Sequence, residues 1–145
     1  MRGLTRKSSE IAFLPTDSLI PHERIRPHHL KELTREILEE GILKTPLIID
    51  RKTRVILDGH HRYRILQMLG AKLIPALLVE YKSPDVSVFP RRIGYKVSKQ
   101  LVIDTALRGQ LMPPKTTRHV LEIELKPVDL PLKFLLNARK GGDLF

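Results

Sequence analysis

Cysteine and tryptophan are both absent from this chain of 145 residues, and aromatic side chains make up only 5% of it. Without cysteine the chain has no disulfide, no thiolate metal site and no cysteine nucleophile. The scarcity of aromatic rings disfavours a surface on which single-stranded nucleic acid could stack. No apolar run is long enough to span a bilayer and residues 1–10 lack the apolar centre of a secretory signal, so we expect a cytoplasmic protein without a membrane partner.

Positive charge is in excess. Lys and Arg number 26 against 16 Asp and Glu, which gives a formal net charge of +10 and a pI near 10.2. This balance favours an anionic partner such as nucleic acid, a nucleotide or a phosphorylated metabolite, although a thermophile-type surface rich in Lys, Arg and Glu would produce it too. Because 41% of the residues are apolar, we expect one compact domain over residues 1–145.

Hydrophobic periodicity and turn residues predict an α/β (α+β) fold. Helices are predicted over 27–40, 61–69 and 99–108, with glycines at 41, 70 and 109 marking their ends. Strands are predicted over 10–14, 45–50, 54–58, 72–81 and 119–125, with a hairpin joining the second and third. Pro75 would place its strand at a sheet edge or a bulge. Residues 83–96 are expected to be irregular, 113–119 to form a loop, and the tail after 125 to pack on the body or fray.

The stretch LDGHHRYRILQMLG, residues 57–70, stands where a predicted strand gives way to a predicted helix. Gly59 permits a tight turn and lets a ligand approach the backbone closely. A helix start offers unpaired N–H groups and the positive end of its dipole, so the turn predicts an anion site. His60, His61 and Arg62 add donors around it, and Arg62 can bind a phosphate through two parallel hydrogen bonds.

Asp58 is out of place in a site built only for anions, because its carboxylate would repel them. It indicates Mg²⁺ binding, orientation of a hydroxyl or proton removal, unless it simply caps the helix. The adjacent histidines do not predict a transition-metal site, because successive helix positions face different directions and no third ligand follows at a useful spacing.

Two further clusters carry polar side chains. The segment PKTTRH could bind a phosphate or a carboxylate, or could be a solvated basic loop; it contains Lys115, Thr116, Thr117, Arg118 and His119. In IPHER, Glu23 could be an ordinary surface acid, or a base that deprotonates an acceptor hydroxyl beside the phosphate turn. The chain has no P-loop, no protein-kinase motif set and no GxGxxG, so a nucleotide would need a different phosphate-binding site.

Residues 56–81, ILDGHHRYRILQMLGAKLIPALLVEY, resemble the phosphate-binding motif of the ParB/sulfiredoxin superfamily. The resemblance implies a ParB/sulfiredoxin-like domain with a mixed sheet and packed helices. The sulfiredoxin branch uses a cysteine in this turn, which the present chain lacks. The chromosome-partitioning branch usually reads GERR there and binds CTP, whereas this turn reads GHHR.

A third branch, the archaeal free L-serine kinase family, resembles the chain in separated motifs that occur in the same order. They are IPHE (20–23), KTPLII (44–49), DGHHR (58–62), PKTTRHVL (114–121) and a terminal DLF (143–145). The family makes O-phosphoserine from serine and a nucleotide. The resemblance therefore implies serine and ATP or ADP as substrates, with Mg²⁺.

Residue roles follow from the same resemblance. Glu23 would be the general base, and Asp58 would assist proton removal or organise Mg²⁺. The nucleotide phosphates would be held by Gly59, His60, His61, Arg62, Lys115, Thr116 and Thr117, and serine by Thr117, Arg118 and His119. The alternative is a non-catalytic ParB-like module that binds a nucleotide or DNA. A nuclease would need a cluster of carboxylates, of which only Asp58 can be placed.

Overall fold

A computed structural model of the chain describes residues 11–122 and 125–137. Its strands are β1 (Ile11–Pro15), β2 (Ile42–Leu43), β3 (Leu47–Asp50), β4 (Ile56–Asp58), β5 (Leu73–Val79), β6 (Val86–Pro90), β7 (Thr117–Leu121) and β8 (Leu130–Pro131). Its helices are α1 (Pro27–Glu40), α2 (His60–Met68), α3 (Lys99–Leu107) and α4 (Leu132–Asn137), with a 3₁₀ turn at Thr16–Ser18.

Four strands form a mixed sheet in the order β1-β5-β3-β4. β5 is antiparallel to β1 and parallel to β3, while β3 and β4 form the antiparallel hairpin that the sequence predicts. β6 pairs with β7 and β2 pairs with β8 in two antiparallel ribbons. The prediction of an α/β fold with a mixed sheet and packed helices is confirmed.

Two apolar clusters form the core, and β3 contributes to both. Leu47 and Ile49 join one cluster with residues of α1, α2 and α4, whereas Ile48 joins the other, which includes Val102 of α3. Successive strand residues point to opposite faces of a sheet, so an inner strand covered on both faces reads as a continuous apolar run. This packing fixes the end of β4 and the start of α2, where the site lies.

The predicted helix boundaries agree closely with the structure. α1 begins at Pro27 and ends at Gly41, whose φ of +69° is the left-handed conformation common at helix C-termini. α3 is capped by Ser98, whose hydroxyl accepts the Leu101 N–H at 3.0 Å.

Several expectations about the irregular parts of the chain were wrong. Pro75 lies in β5, an inner strand, and its missing N–H is tolerated because the pairing of β3 begins only opposite Ala76. The segment 83–96 contains β6, and the expected loop 113–119 already enters β7 at Thr117. For the tail, the alternative that it packs on the body is confirmed over α4, whose Leu135 is fully buried in the core.

Candidate active site

A polar cleft with a volume of about 250 Å³ opens where β4 ends and α2 begins. The strand, the helix, the segment before α1 and the loop before β7 all reach it. Its lining residues are Glu23, His29, Leu33, Leu57, Asp58, Gly59, His60, His61, Arg62, Arg91, Lys115 and Thr117. Glu23 thus lies in the same cleft as the DGHHR turn, although 35 residues separate it from Asp58 in the chain.

Gly59 makes the turn from β4 into α2 possible. Its φ is +108°, and a Cβ placed on it would lie 2.7 Å from the side chain of Leu47. Gly59 is the N-cap of α2 and has no side chain to bond the first-turn amides, and none of the described side chains caps this helix, so the amides and the helix dipole are available to an anion. Asp58 is exposed at the cleft. It does not cap α2, which was the alternative role that the sequence allowed for it.

The two histidines of the turn act as hydrogen-bond acceptors for the backbone of the segment that carries Glu23. His60 Nε2 accepts the His22 N–H at 3.0 Å, and His61 Nε2 accepts the Arg26 N–H at 2.9 Å. A ring nitrogen that accepts an N–H bond carries no proton, so both imidazoles are neutral. Burial, with repulsion by neighbouring positive groups, lowers the pKa of His60 well below its ordinary value and also lowers the pKa of His61.

Glu23 is held by the loop that leads into β7. Its Oε1 accepts the Lys115 N–H at 3.0 Å, and its Oε2 accepts the Thr117 N–H at 3.0 Å and the Thr117 hydroxyl at 2.7 Å. On its other side, backbone hydrogen bonds join His22 and Arg24 to Met112. The carboxylate is therefore fixed in position while its side chain is 12% exposed at the cleft.

Arg62 is partly committed to the protein itself. Its guanidinium donates to the backbone carbonyls of Thr45 and Pro46 at 3.2 and 3.3 Å, and to the Thr45 hydroxyl. Arginine has five N–H donors, so these bonds from one nitrogen leave others for a ligand. Burial lowers the pKa of Arg62, and Asp58 opposes that shift.

Three residues that the sequence assigned to phosphate or substrate binding do not line the cleft. Thr116 is buried and donates its hydroxyl to the Pro113 carbonyl at 2.6 Å. Arg118 is exposed on β7, and His119 Nε2 lies 2.8 Å from the Tyr81 hydroxyl. The DLF motif at 143–145 lies outside the described residues.

The site also includes three residues that the sequence did not predict, His29, Arg91 and His22. His29 stands in the first turn of α1, and its ring centroid is 4.5 Å from that of His61. Arg91 donates its N–H to the Thr116 carbonyl at 2.9 Å, which places it beside the 113–117 loop. His22 is fully buried beneath Glu23. Of the three, only His22 lies in a motif that the sequence singled out, IPHER, and that motif indicated a role for Glu23 and none for His22.

Within residues 11–122 and 125–137, no three His, Asp or Glu side chains are arranged to hold a metal ion. The same part of the chain contains no helix long and apolar enough to cross a bilayer.

Curated relatives of the chain include L-serine kinases, two of which are described here. The chain is 34% identical over 95 residues to an ATP-dependent L-serine kinase of Staphylothermus marinus, a match that covers 61% of this chain and 38% of that protein. It is 32% identical over 102 residues to an ADP-dependent L-serine kinase of Thermococcus kodakarensis, covering 68% and 42%. The chain therefore spans less than half the length of these relatives.

Solved structures and a domain family agree on the fold. A free serine kinase in complex with AMP superposes with a TM-score of 0.78 at 20% identity, covering 89% of this chain and 95% of that one. Residues 2–88 match the ParB N-terminal domain family. The strand–turn–helix of the cleft lies within that match, and the chain belongs to the ParB N-terminal domain family.

Proposed function

We propose that this chain transfers a phosphoryl group from ATP or ADP to the hydroxyl of free L-serine, giving O-phospho-L-serine. The observation that carries the proposal is the single cleft into which two acids and an uncapped helix start converge. The names of the relatives support serine and a nucleotide as the substrates.

The donor nucleotide would be bound by backbone amides and by the cationic side chains around them. The first amides of α2 would hold phosphate oxygens, because a helix N-terminus combines unpaired donors with the positive end of the dipole. Lys115 and Arg91 line the same cleft and would neutralise the remaining phosphate charge. Phosphoryl transfer depends mainly on such positioning and charge stabilisation.

Glu23 is the side chain placed to take the proton of the acceptor. A carboxylate has about four acceptor positions. On Glu23, three of them accept the Lys115 N–H, the Thr117 N–H and the Thr117 hydroxyl. One position on Oε1 is left for the serine hydroxyl. The fixed carboxylate can then act as a general base without reorganising when serine attacks.

Asp58 is the carboxylate that fits Mg²⁺. Magnesium is commonly held by one or two carboxylates together with substrate phosphates and water. Asp58 is exposed at the cleft and has no helix-capping role, so it could supply the one protein ligand. When bound, the ion would neutralise charge on the phosphate oxygens.

Two substitutions test the proposal. Glu23→Gln and Asp58→Asn are expected to keep the fold and to lower turnover by about a hundredfold or more, as befits the loss of an acid–base or charge-stabilising group. The measurement is formation of O-phosphoserine from serine, Mg²⁺ and either ATP or ADP. Glu32→Gln is the matched control, because Glu32 is exposed on α1 and pairs only with His28 among the described ion pairs. Turnover within a few-fold of the unsubstituted chain would remove that acid from the reaction.

The net charge of +10 favours one rival function, a ParB-like module that binds DNA without catalysis. Such a module would contact several phosphates, and its affinity would fall steeply as salt rises. Two acids in the cleft are unfavourable beside a DNA backbone. A DNA affinity with a steep salt dependence, together with no phosphoserine from either nucleotide, would establish the rival.

A further inference from the structure

His22 is a buried histidine that the proposed reaction does not yet use. Its Nδ1 lies 2.7 Å from the Ile56 carbonyl and its Nε2 lies 3.0 Å from Thr117 Oγ1. A carbonyl oxygen can only accept, so Nδ1 carries a hydrogen. Whether Nε2 is protonated therefore decides the charge of the ring.

Thr117 connects this imidazole to Glu23. Its hydroxyl oxygen lies 2.7 Å from Glu23 Oε2 and 3.0 Å from His22 Nε2. The hydroxyl has one hydrogen, which can serve only one of these two contacts. Thr117 donates this hydrogen to Glu23 Oε2, so the contact with His22 Nε2 becomes a hydrogen bond only when one more proton enters, as an imidazolium at His22 or a protonated Glu23.

We infer that Glu23, Thr117 and His22 form a proton relay that carries the acceptor's proton from the cleft to the buried imidazole. The inference rests on the proposed function. As the serine oxygen bonds to the phosphorus, its proton passes to Glu23. This proton arrives on Oε1, so the neutral carboxyl group makes a half-turn that brings its O–H to Thr117 Oγ1. The proton then moves from Glu23 to Thr117 Oγ1 while the Thr117 hydroxyl hydrogen moves to His22 Nε2. Glu23 is again a carboxylate and His22 is an imidazolium, so one proton has been moved and none gained or lost.

The neighbouring imidazoles cannot take this part. His60 Nε2 accepts a backbone N–H, and its ring centroid is 4.6 Å from that of His22. His119 bonds the Leu57 backbone and the Tyr81 hydroxyl, and its ring centroid is 5.9 Å from that of His22. Among the described histidines of this cluster, His22 is the one whose free nitrogen faces a hydroxyl bonded to the acid of the cleft.

The surroundings of His22 have opposing effects on its pKa. Burial lowers the pKa of His22, whereas the negative charges of Glu23 and Asp58 and the bond to the Ile56 carbonyl raise it. Imidazole is also the side chain whose ordinary titration lies nearest neutral pH, which suits a group that receives and releases a proton during turnover.

The first test measures the shared proton directly and needs no activity. In the full chain, NMR titration of the His22 ring nitrogens and the Glu23 carboxyl carbon should give curves with common midpoints, because the proton steps of a strongly coupled pair belong to both groups. Thr117→Val removes the hydroxyl but keeps the backbone N–H that binds Glu23. Only the direct separation of 3.7 Å between His22 Nε2 and Glu23 Oε2 then couples the two groups, so their midpoints should move apart. Thr117→Ser should restore the common midpoints.

Thr34→Val is the matched control, because among the described residues that hydroxyl bonds only the Leu30 carbonyl within α1. It should leave both titration curves unchanged. Separate midpoints in the unsubstituted chain, or common midpoints that survive Thr117→Val, would overturn the relay.

The second test is kinetic. His22→Gln can still donate to Thr117 Oγ1 but cannot accept a proton, so we expect kcat to fall about tenfold or more and its dependence on acid pH to change. The KM for nucleotide should stay within about twofold, since the interaction acts on the chemical step. A lowered kcat with an unaltered pH profile would make His22 a purely structural residue. Absence of phosphoserine from the unsubstituted chain would defeat the proposed function instead, and the NMR titration would still test the shared proton.

Discussion

Gly59 meets two demands that a residue with a side chain cannot meet. Its φ is +108°, and an added Cβ would lie 2.7 Å from Leu47 Cγ and 3.1 Å from the Arg62 guanidinium. Gly59→Ala is therefore expected to lower the free energy of unfolding by about 1–3 kcal/mol, and to weaken nucleotide binding because the turn that presents the α2 amides must shift. Chemical denaturation and nucleotide titration measure the two effects.

Gly109→Ala separates the steric contribution from the backbone strain. Gly109 also has a positive φ, +72°, but a Cβ added there meets nothing within 4 Å. The substitution should lower the free energy of unfolding only by the strain of a left-handed residue, on the order of 1 kcal/mol. Nucleotide binding should stay unaltered. Equal losses in the two variants would show that the approach of Leu47 does not constrain the turn.

The position of Glu23 could not be worked out from spacing alone. The sequence predicted an anion turn at Gly59 and a separate acid before α1, and only a family resemblance implied that they meet. Their meeting depends on backbone contacts of the 22–26 segment with His60 and with Met112. Hydrogen bonds between residues far apart in the chain produce no periodic pattern in the sequence. For the same reason the sequence did not indicate a role for His22.

The first turn of α2 holds the 22–26 segment against the sheet. His60 and His61 accept the backbone N–H groups of His22 and Arg26, and these bonds lie on either side of Glu23. His61→Ala should raise the hydrogen-exchange rate of the Arg26 amide about fivefold, since a typical hydrogen bond contributes about 1 kcal/mol. The His22 amide in the same sample is the control and should keep its protection. Equal acceleration of both amides would mean that the segment opens as one unit.

Elements with a clear local pattern were predictable, including the short strands β3 and β4, whereas β6 and α4 were not. α1 shows apolar residues at helical spacing between a proline start and a glycine end, and its predicted bounds agree with the structure. β6 has five residues and α4 has six, and both lie in stretches rich in proline and charged residues, a composition typical of loops. Their stability comes from partners distant in sequence: β7 pairs with β6, and the core receives Leu132 and Leu135 of α4.

Acid should destabilise the whole molecule through its buried histidines. Burial is the largest cause lowering the pKa of His22, His60, His61 and His119, in the last case to about 3. Below about pH 6.5, the ordinary histidine value, the unfolded chain binds protons that the folded chain excludes. The stability from these neutral rings is complete above that pH and is lost as the pH falls toward each lowered pKa.

His119 allows the size of this effect to be tested. With a folded pKa of about 3, it should contribute a slope of about 1.4 kcal/mol per pH unit between pH 6.5 and pH 4. Urea denaturation at pH 7, 6 and 5 should therefore show falling stability, and His119→Gln should flatten the slope even if the variant is less stable at pH 7. His28→Gln is the matched control, because His28 is exposed on α1, and it should leave the slope unchanged. An equal slope in the unsubstituted chain and in His119→Gln would show that His119 takes up a proton in the folded state, and so that its bond with the Tyr81 hydroxyl tolerates a charged ring.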